Sequence, residues 1–416
     1  MSATAFPSPL EGEGQGGGWK PLDEAGLAAA VSEAHTAAEP LLVHGSGSKD
    51  GLLRPVHAAR TLSTRSLTGI THYSPQELVL SARAGTPLAD LAAAVAEKGQ
   101  HLIAEPPDLG ALLGSNEAPT LGGVVATNLS GPRRVTWGAM RDHVLGVQAV
   151  NGRGEKIHSG GRVLKNVTGL DLCKLLSGSY GTLAVLTEIT LKVLPVPERR
   201  GTLVLKGLDP ERAVAALSAA LGSPYGVSAA AWLPAPLAAR IPPLAWFGGS
   251  VALARIEDFS SSVAYRTARL RSDLSQFGAA ELLDDAASQA AWAAIRDVTP
   301  LAPEPGAVWR VSVRPSAGPA IARAAEAAFG AAWFMDWGGG LVWIAGPATE
   351  AAHAAVMQAA RTHRGVWTLM RAPEPMRASV AVVPPEPAPL ARITRAVKAA
   401  FDPKGILNPG RMYAGI

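Results

Sequence analysis

APTLGGVVATNLSGPRR, residues 118–134, is the stretch on which the fold turns. Gly122 and Gly123 stand side by side, and without Cβ atoms they let the backbone come close to a bound molecule. Thr120, Thr127, Asn128 and Ser130 place hydrogen-bonding side chains around them. The stretch lies inside a long loop expected from Pro106 to Gly138, after the strand-like HLIAE at 101–105. Loops of that length are usually functional. Earlier in the chain VHGSGSKDG (43–51) follows a short apolar strand, PLLVH (40–44). Its glycines allow successive N–H groups to converge on an anion, and its serines add donors. It is not a Walker A loop, because no Gly-Lys-Ser/Thr closes it, nor a GxGxxG turn opening a helix. Later, KNVTGLDL (165–172) and LLSGSYGTL (175–183) pinch a short helix between glycine turns. Asp171 reads as the N-cap of that helix, in preference to a catalytic acid. Two loops rich in glycine and hydroxyls point to an extended, phosphate-containing ligand gripped from both sides.

Around these loops the chain alternates short strands and Ala-rich helices. Glu24–Ala37 reads as a helix, and Glu77–Ala82 as a strand. LADLAAAVAEKG reads as a helix capped by Thr86, started by Pro87 and closed at Gly99. Asn151-Gly152 between two apolar runs is a hairpin signal, and LAVLTEITLKVL (183–194) a long strand. Beyond Pro197 a strand–helix–strand–strand–helix–strand cycle occurs twice, the mark of two ferredoxin-like halves. The divisions expected are a flexible leader (1–18), a first domain (19–197), a second of ferredoxin-like repeats (198–383), and a C-terminal helix and tail (384–416) that returns to the first.

Composition narrows the function. Hydrophobic residues make up 48% of the 416 positions and charged ones 17%, which excludes dominant disorder. Net charge is only +4 and no Lys/Arg run occurs, so nucleic acid is not an expected partner. One cysteine leaves no disulfide framework and no Cys-based zinc or iron–sulfur site within the chain. Neither a secretory signal nor a transmembrane run is present, so a cytoplasmic protein is expected, with attachment to the inner face of the plasma membrane through partners left open.

The order of the three loops, followed by FDPKGILNPGRM (401–412), resembles the vanillyl-alcohol-oxidase (PCMH-type) superfamily of FAD-binding flavoproteins, and within it the E-type FAD-binding subunits of glycolate oxidase. The likeness covers about 20–195 and 390–416; the middle matches only as a cap of the right size. It implies an α+β fold, with a PCMH-type FAD-binding domain of two α+β subdomains plus a ferredoxin-like α+β cap. It also implies FAD between the subdomains. His44, Gly45, Ser46, Gly47, Ser48 and Lys49 would cradle the pyrophosphate. Thr120, Leu121, Gly122, Gly123, Thr127, Asn128, Ser130 and Gly131 would line pyrophosphate, ribityl chain and flavin. Gly181, Thr182 and Ile189 would lie near the adenosine or the ring, and Asn408 would close over the flavin from the tail. The partners implied are the FAD-binding catalytic D-type chain and the iron–sulfur F-type chain of glycolate oxidase, with a small 2-hydroxy acid as substrate.

Some features depart from that pattern. Tyr180 and Ala184 stand where relatives often carry Glu and Gly. The histidine-rich segment that relatives acting on 2-hydroxy acids use for a base and a metal is missing, which leaves the catalytic base unassigned. His353 and His363 read as core or surface residues, and no metal site is expected. No residue stands where relatives attach flavin covalently, so FAD is expected to be non-covalent. Trp333, Trp337 and Trp343 read as a hairpin packed on the cap sheet, or as a face toward the flavin or a partner. Arg133, Arg134 and Arg141 are candidates for a substrate carboxylate, or for phosphate and surface ion pairs. Three functions compete: an FAD-binding subunit of glycolate oxidase, a self-sufficient FAD-dependent glycolate or D-lactate dehydrogenase, and a flavin-free assembly subunit.

Overall fold

Three sheets organise the chain in the computed structural model, which describes residues 18–162 and 170–416. Residues 1–17 of the expected leader and 165–169 of the third motif lie outside the described residues. Gly18, placed in the leader by sequence, begins a strand with Trp19 that runs parallel to Thr61 and Leu62.

The smallest sheet is parallel, in the order Gly18–Trp19, Arg60–Ser63, Leu41–His44. The helix Glu24–Ala37 buries Leu27, Ala30, Val31 and Ala34, the i, i+3, i+4, i+7 stripe of an amphipathic helix. Asp23 caps it by accepting the Gly26 N–H at 2.7 Å. Leu41–His44 thus ends at the first glycine-rich loop, with its backbone held by a rigid sheet.

The second sheet is antiparallel, in the order Ile70–Ser74, Val79–Arg83, Ala184–Pro195, Val144–Asn151, Lys156–Gly160. Its spine, Ala184–Pro195, pairs on both sides and also holds Gln100–Leu102. The expected hairpin forms at Asn151, whose side-chain oxygen accepts the N–H groups of Arg153 and Glu155. Two expectations are corrected here. Thr86 does not cap its helix, which runs Leu88–Ala96. Its hydroxyl donates to the Arg83 carbonyl at 2.7 Å and accepts the Gly69 N–H, tying a turn together instead. The stretch from Pro106 to Gly138 is not one loop but contains the short helices Gly110–Leu113, Leu121–Thr127 and Arg134–Trp137.

The third sheet has eight strands made of two βαββαβ halves. The first half is Arg199–Lys206, helix Pro210–Leu221, Val227–Leu233, Val251–Asp258, helix Ser260–Asp273 and Ala280–Leu283. The second is Ala307–Ser312, helix Gly318–Phe329, Ala332–Asp336, Leu341–Gly346, helix Glu350–Thr362 and Val366–Arg371. In each half the first strand lies between the third and fourth, the ferredoxin-like order. The halves join where Trp232 pairs with Met335. The Trp232 and Trp333 rings stack beside that joint at 4.9 Å. His353 is a core residue, as one of its two readings had it: Trp309 Nε1 donates to its Nδ1 at 2.9 Å.

Candidate functional site

Two lips face each other across a cleft between the small sheet and the antiparallel sheet. One is the loop after Leu41–His44; the other is the turn and helix from Thr120 to Thr127. They meet where Gly45 packs on Thr120. A Cβ on Gly45 would collide with Thr120 Oγ1, so only glycine allows the approach. Ser46 Oγ ties the lips further by donating to the Ala118 carbonyl at 2.6 Å. Gly47 has φ +90, a conformation that favours glycine, and turns the loop so that its backbone faces the cleft.

The amides of Gly45, Ser46, Gly47, Ser48 and Lys49 donate to no acceptor among the described residues. Backbone donors are rarely left without partners unless water or a ligand takes them. Beside them the Lys49 ammonium is buried, and its hydrogen-bond contact is Ser48 Oγ at 3.4 Å. Burial lowers its pKa to about 8, with Asp108 pulling the other way. Lys49 is still charged at neutral pH, yet no carboxylate lies within ion-pair distance among the described residues. Gly123 lies next to this charge: a Cβ there would meet only Thr120 Oγ1 at 3.3 Å and Lys49 Nζ at 3.9 Å. Free amides, an uncompensated cation and a bare glycine face suit a ligand with several anionic oxygens. A dinucleotide pyrophosphate fits that donor set.

The remaining candidates sort cleanly. His44, Gly45, Ser46, Gly47, Ser48, Lys49, Thr120, Gly122, Gly123, Thr127, Gly181 and Asn408 line the cleft. Leu121, Asn128, Ser130, Gly131, Thr182 and Ile189 do not. Ile189 is fully buried in the sheet spine, paired with Ala82 and Val147. Leu121 is likewise core. Asn128 Oδ1 accepts the Arg141 N–H at 3.0 Å and Ser130 Oγ accepts the Met140 N–H at 2.9 Å, so both shape the connection behind the cleft. Thr182 offers its carbonyl to Lys398 at 2.7 Å and faces the tail. Gly131 serves close packing: a Cβ there would collide with the Glu105 carbonyl of its own domain and press on the Arg296 side chain of the cap at 3.2 Å. Asn408 lines the cleft but its amide is fully engaged. Oδ1 accepts the Val43 N–H at 2.7 Å, while Nδ2 donates to the carbonyls of Val43 and Tyr180 at 3.0 and 2.8 Å. It clamps two cleft walls together.

Tyr180 and Arg411 are not among the site residues expected from sequence, yet both line the cleft. Arg411 is buried and donates to the Lys49 carbonyl at 2.9 Å, which ties the tail to the first lip. The sequence signal for it is its place in NPGRM after Asn408; for Tyr180 it is the departure from the glutamate of relatives.

The three candidate arginines have separate fates. Arg133 is buried and committed: Nε and Nη2 donate to Glu257 at 2.9 and 2.7 Å. Arg255 in turn holds Glu105 through two bonds of 3.1 and 2.8 Å. This network locks the first domain to the cap, because Arg133 and Glu105 belong to one and Arg255 and Glu257 to the other. Arg141 is half-exposed near Asp142. Arg134 stacks on Trp337 with its guanidinium carbon 4.9 Å from the ring centroid. Trp333 and Trp343 are the packed hairpin residues, but Trp337 reaches the first domain and donates to the Gly131 carbonyl at 3.2 Å. Cys173 is buried in the antiparallel-sheet core. Among the described residues no cluster of three metal-ligating side chains exists.

This architecture is that of an FAD-linked oxidase. An FAD binding domain model matches residues 19–160, and a model for the C-terminal domain of FAD linked oxidases matches residues 387–412. The solved structure of p-cresol methylhydroxylase with substrate bound superposes with a TM-score of 0.75 at 13% identity, covering 96% of this chain and 88% of that one, which establishes the fold. Glycolate oxidase subunit GlcE of Escherichia coli is 37% identical over 387 residues, 92% of this chain and 95% of the relative. Glycolate oxidase subunit GlcD of Bacillus subtilis is 32% identical over 166 residues, 40% of this chain and 34% of that protein. The chain belongs to the GlcE family of FAD-linked oxidoreductases.

Proposed function

We propose that this chain is the FAD-binding subunit of a multi-subunit glycolate oxidase, and that it holds FAD non-covalently with its pyrophosphate between the two lips. The five unpartnered amides from Gly45 to Lys49, set beside the uncompensated Lys49 charge, carry this reading. Their neutral donors and single cation match two bridged phosphates without burying excess charge. His44 Nδ1 is already bonded to Asp50 at 2.9 Å and Cys173 is buried elsewhere, which favours non-covalent attachment.

The flavin would supply two-electron chemistry. The residues of the chain hold its phosphates, fix the two subdomains around it and screen the cleft from water. Conversion of glycolate to glyoxylate releases two electrons and two protons. With one cysteine the chain cannot ligate an iron–sulfur cluster, so the electrons continue through partner chains, a GlcD-type flavoprotein and an iron–sulfur protein, to a quinone-type acceptor. Such an assembly would place the chain at the inner face of the plasma membrane through its partners.

Replacing Gly123 tests the site. Its Cβ direction opens on the cleft, so Gly123→Leu fills ligand space while the fold stays intact. The expected outcome is loss of at least about nine-tenths of the bound FAD with unchanged circular dichroism. Full flavin content in the variant refutes the assignment. Gly122→Leu is a poorer probe, because a Cβ there would press on the Ala84 methyl at 2.8 Å and disturb packing.

A further inference from the structure

Arg310 sits on Ala307–Ser312, an interior strand of the cap sheet, between Trp343 and Thr368 in register. It makes no ion pair and no side-chain hydrogen bond among the described residues, and neither does Arg134. Their neighbours differ sharply. Arg133 and Arg255 are each satisfied by a bidentate glutamate a short distance away. Arg134 and Arg310 share one partner, the indole of Trp337, at 4.9 and 5.0 Å. Cation–π stacking orients a guanidinium but leaves its N–H edge free to hydrogen-bond.

Three further observations give this edge a direction. Trp337 has φ +53, an unfavourable conformation for an indole residue, and it is fixed by bonds to Asp336 and Gly131. Tyr180, also at positive φ (+54), lines the flavin cleft, and its hydroxyl has no partner among the described residues. The charges of Arg310 and Arg411 both act on that hydroxyl, while burial pushes its pKa up and keeps it a donor. The nearest acid, Asp336, does not neutralise Arg310: it lies beyond ion-pair distance and accepts the Trp337 N–H at 2.7 Å. Burial also lowers the Arg310 pKa to about 10, as expected of a desolvated cation lacking a counterion. A desolvated charge left uncompensated is costly, and proteins keep one where a ligand supplies the opposite sign.

We propose that Arg310, Arg134 and the Tyr180 hydroxyl form a binding site for the carboxylate of a small acid where the cap packs on Tyr180, itself a wall of the flavin cleft. This deepens the reading above and rests on it: the flavin of this chain then meets a substrate carboxylate, and the subunit does more than relay electrons. Arg310 supplies the planar fork that a carboxylate matches, Arg134 adds charge from the opposite domain, and Trp337 holds both in place.

The test is calorimetric titration of the purified full chain with oxalate, a two-carbon dicarboxylate, alongside flavin content measured on the same sample. Arg310→Met should weaken oxalate binding at least about tenfold while keeping full flavin content, and Arg310→Lys should recover part of the loss. Arg134→Met, made on the other domain, should weaken it several-fold, which guards against a variant that fails to fold. Arg141→Met, on the half-exposed neighbour, should change nothing. Oxalate affinity unchanged in Arg310→Met overturns the site. So does loss of FAD in that variant, which would mean that the charges neutralise the cofactor's own phosphates. A wild-type chain that binds oxalate through Arg310 but carries no flavin would uphold the anion site while removing the flavin reading.

Discussion

Asp336 is a buried cap carboxylate whose ionisation feels charges from both domains, Arg255 and Arg310 of the cap and Glu105 of the first domain. Burial pushes its carboxyl up to about 7; Glu105 adds to the shift, while the Trp337 N–H, Arg255 and Arg310 oppose it. In the unfolded chain an aspartate titrates near about 4. Between about pH 4 and 7 the folded protein therefore holds a proton that the unfolded chain has lost, and stability falls as pH rises through this window. Asp336→Asn removes that slope. The stability of the variant relative to wild type should rise from about pH 4 to pH 7, by roughly 1 kcal/mol or more in urea unfolding. His101 acts in the opposite sense. Burial, with Arg133 adding, lowers its pKa to about 4, so its contribution is present above about pH 6.5 and lost as pH falls toward 4. A difference between Asp336→Asn and wild type that is flat with pH would show that Asp336 is ionised throughout. At this scale the sequence is informative about backbone and much less so about side-chain pairing. Glycines 45, 47, 122 and 123 line the cleft as their motifs lead one to expect, whereas Gly131 of the same stretch does not. Arg133 and Arg134, adjacent in sequence, cannot be told apart there, because one meets Glu257 and the other Trp337, both far along the chain.

The C-terminal helix Ala388–Phe401 and its tail show how a short element can set the shape of a distant site. Lys398 is buried and donates to Asp402 at 2.7 Å and to the carbonyls of Thr182 and Leu407 at 2.7 and 2.9 Å. Asp402 accepts the N–H groups of Ile406 and Leu407. This fixes the turn that delivers Asn408 to Val43 and Tyr180. Lys398→Met leaves the buried Asp402 carboxylate without its cation. It should cost about 3–5 kcal/mol in unfolding experiments and loosen FAD retention together with it. A variant with wild-type stability would show that the tail is held by the apolar contacts of Ile406 and Leu407 alone. Element type is legible where periodicity is strong, as in Glu24–Ala37 and in the two ferredoxin-like cycles. It fails between Pro106 and Gly138, where helices of four to seven residues are too short for a periodic signal and are held by tertiary contacts. Asp285–Arg296 carries such a stripe as well, with Ser288, Ala291, Trp292 and Ile295 buried at i, i+3, i+4 and i+7 and Trp292 bonded to Thr202.

Across the whole molecule, the ion-pair network of Arg133, Glu257, Arg255 and Glu105 governs how the cap sits over the first domain. Arg200 joins it through Glu257 at 3.4 Å. Glu257→Met removes the acid that three arginines share. The cost should be about 3–5 kcal/mol, seen as a lower denaturant midpoint, with the cap unfolding independently of the first domain. A single cooperative transition at the wild-type midpoint would show that packing, not charge, couples the domains. The central claim, however, is the flavin. It is tested most directly by the visible absorption spectrum of the purified chain, taken before and after acid precipitation. A yellow protein carrying stoichiometric FAD, all of it released into the supernatant by acid, is the predicted result. A colourless chain that cannot be reconstituted with FAD, or flavin that stays with the precipitated protein, would contradict the account.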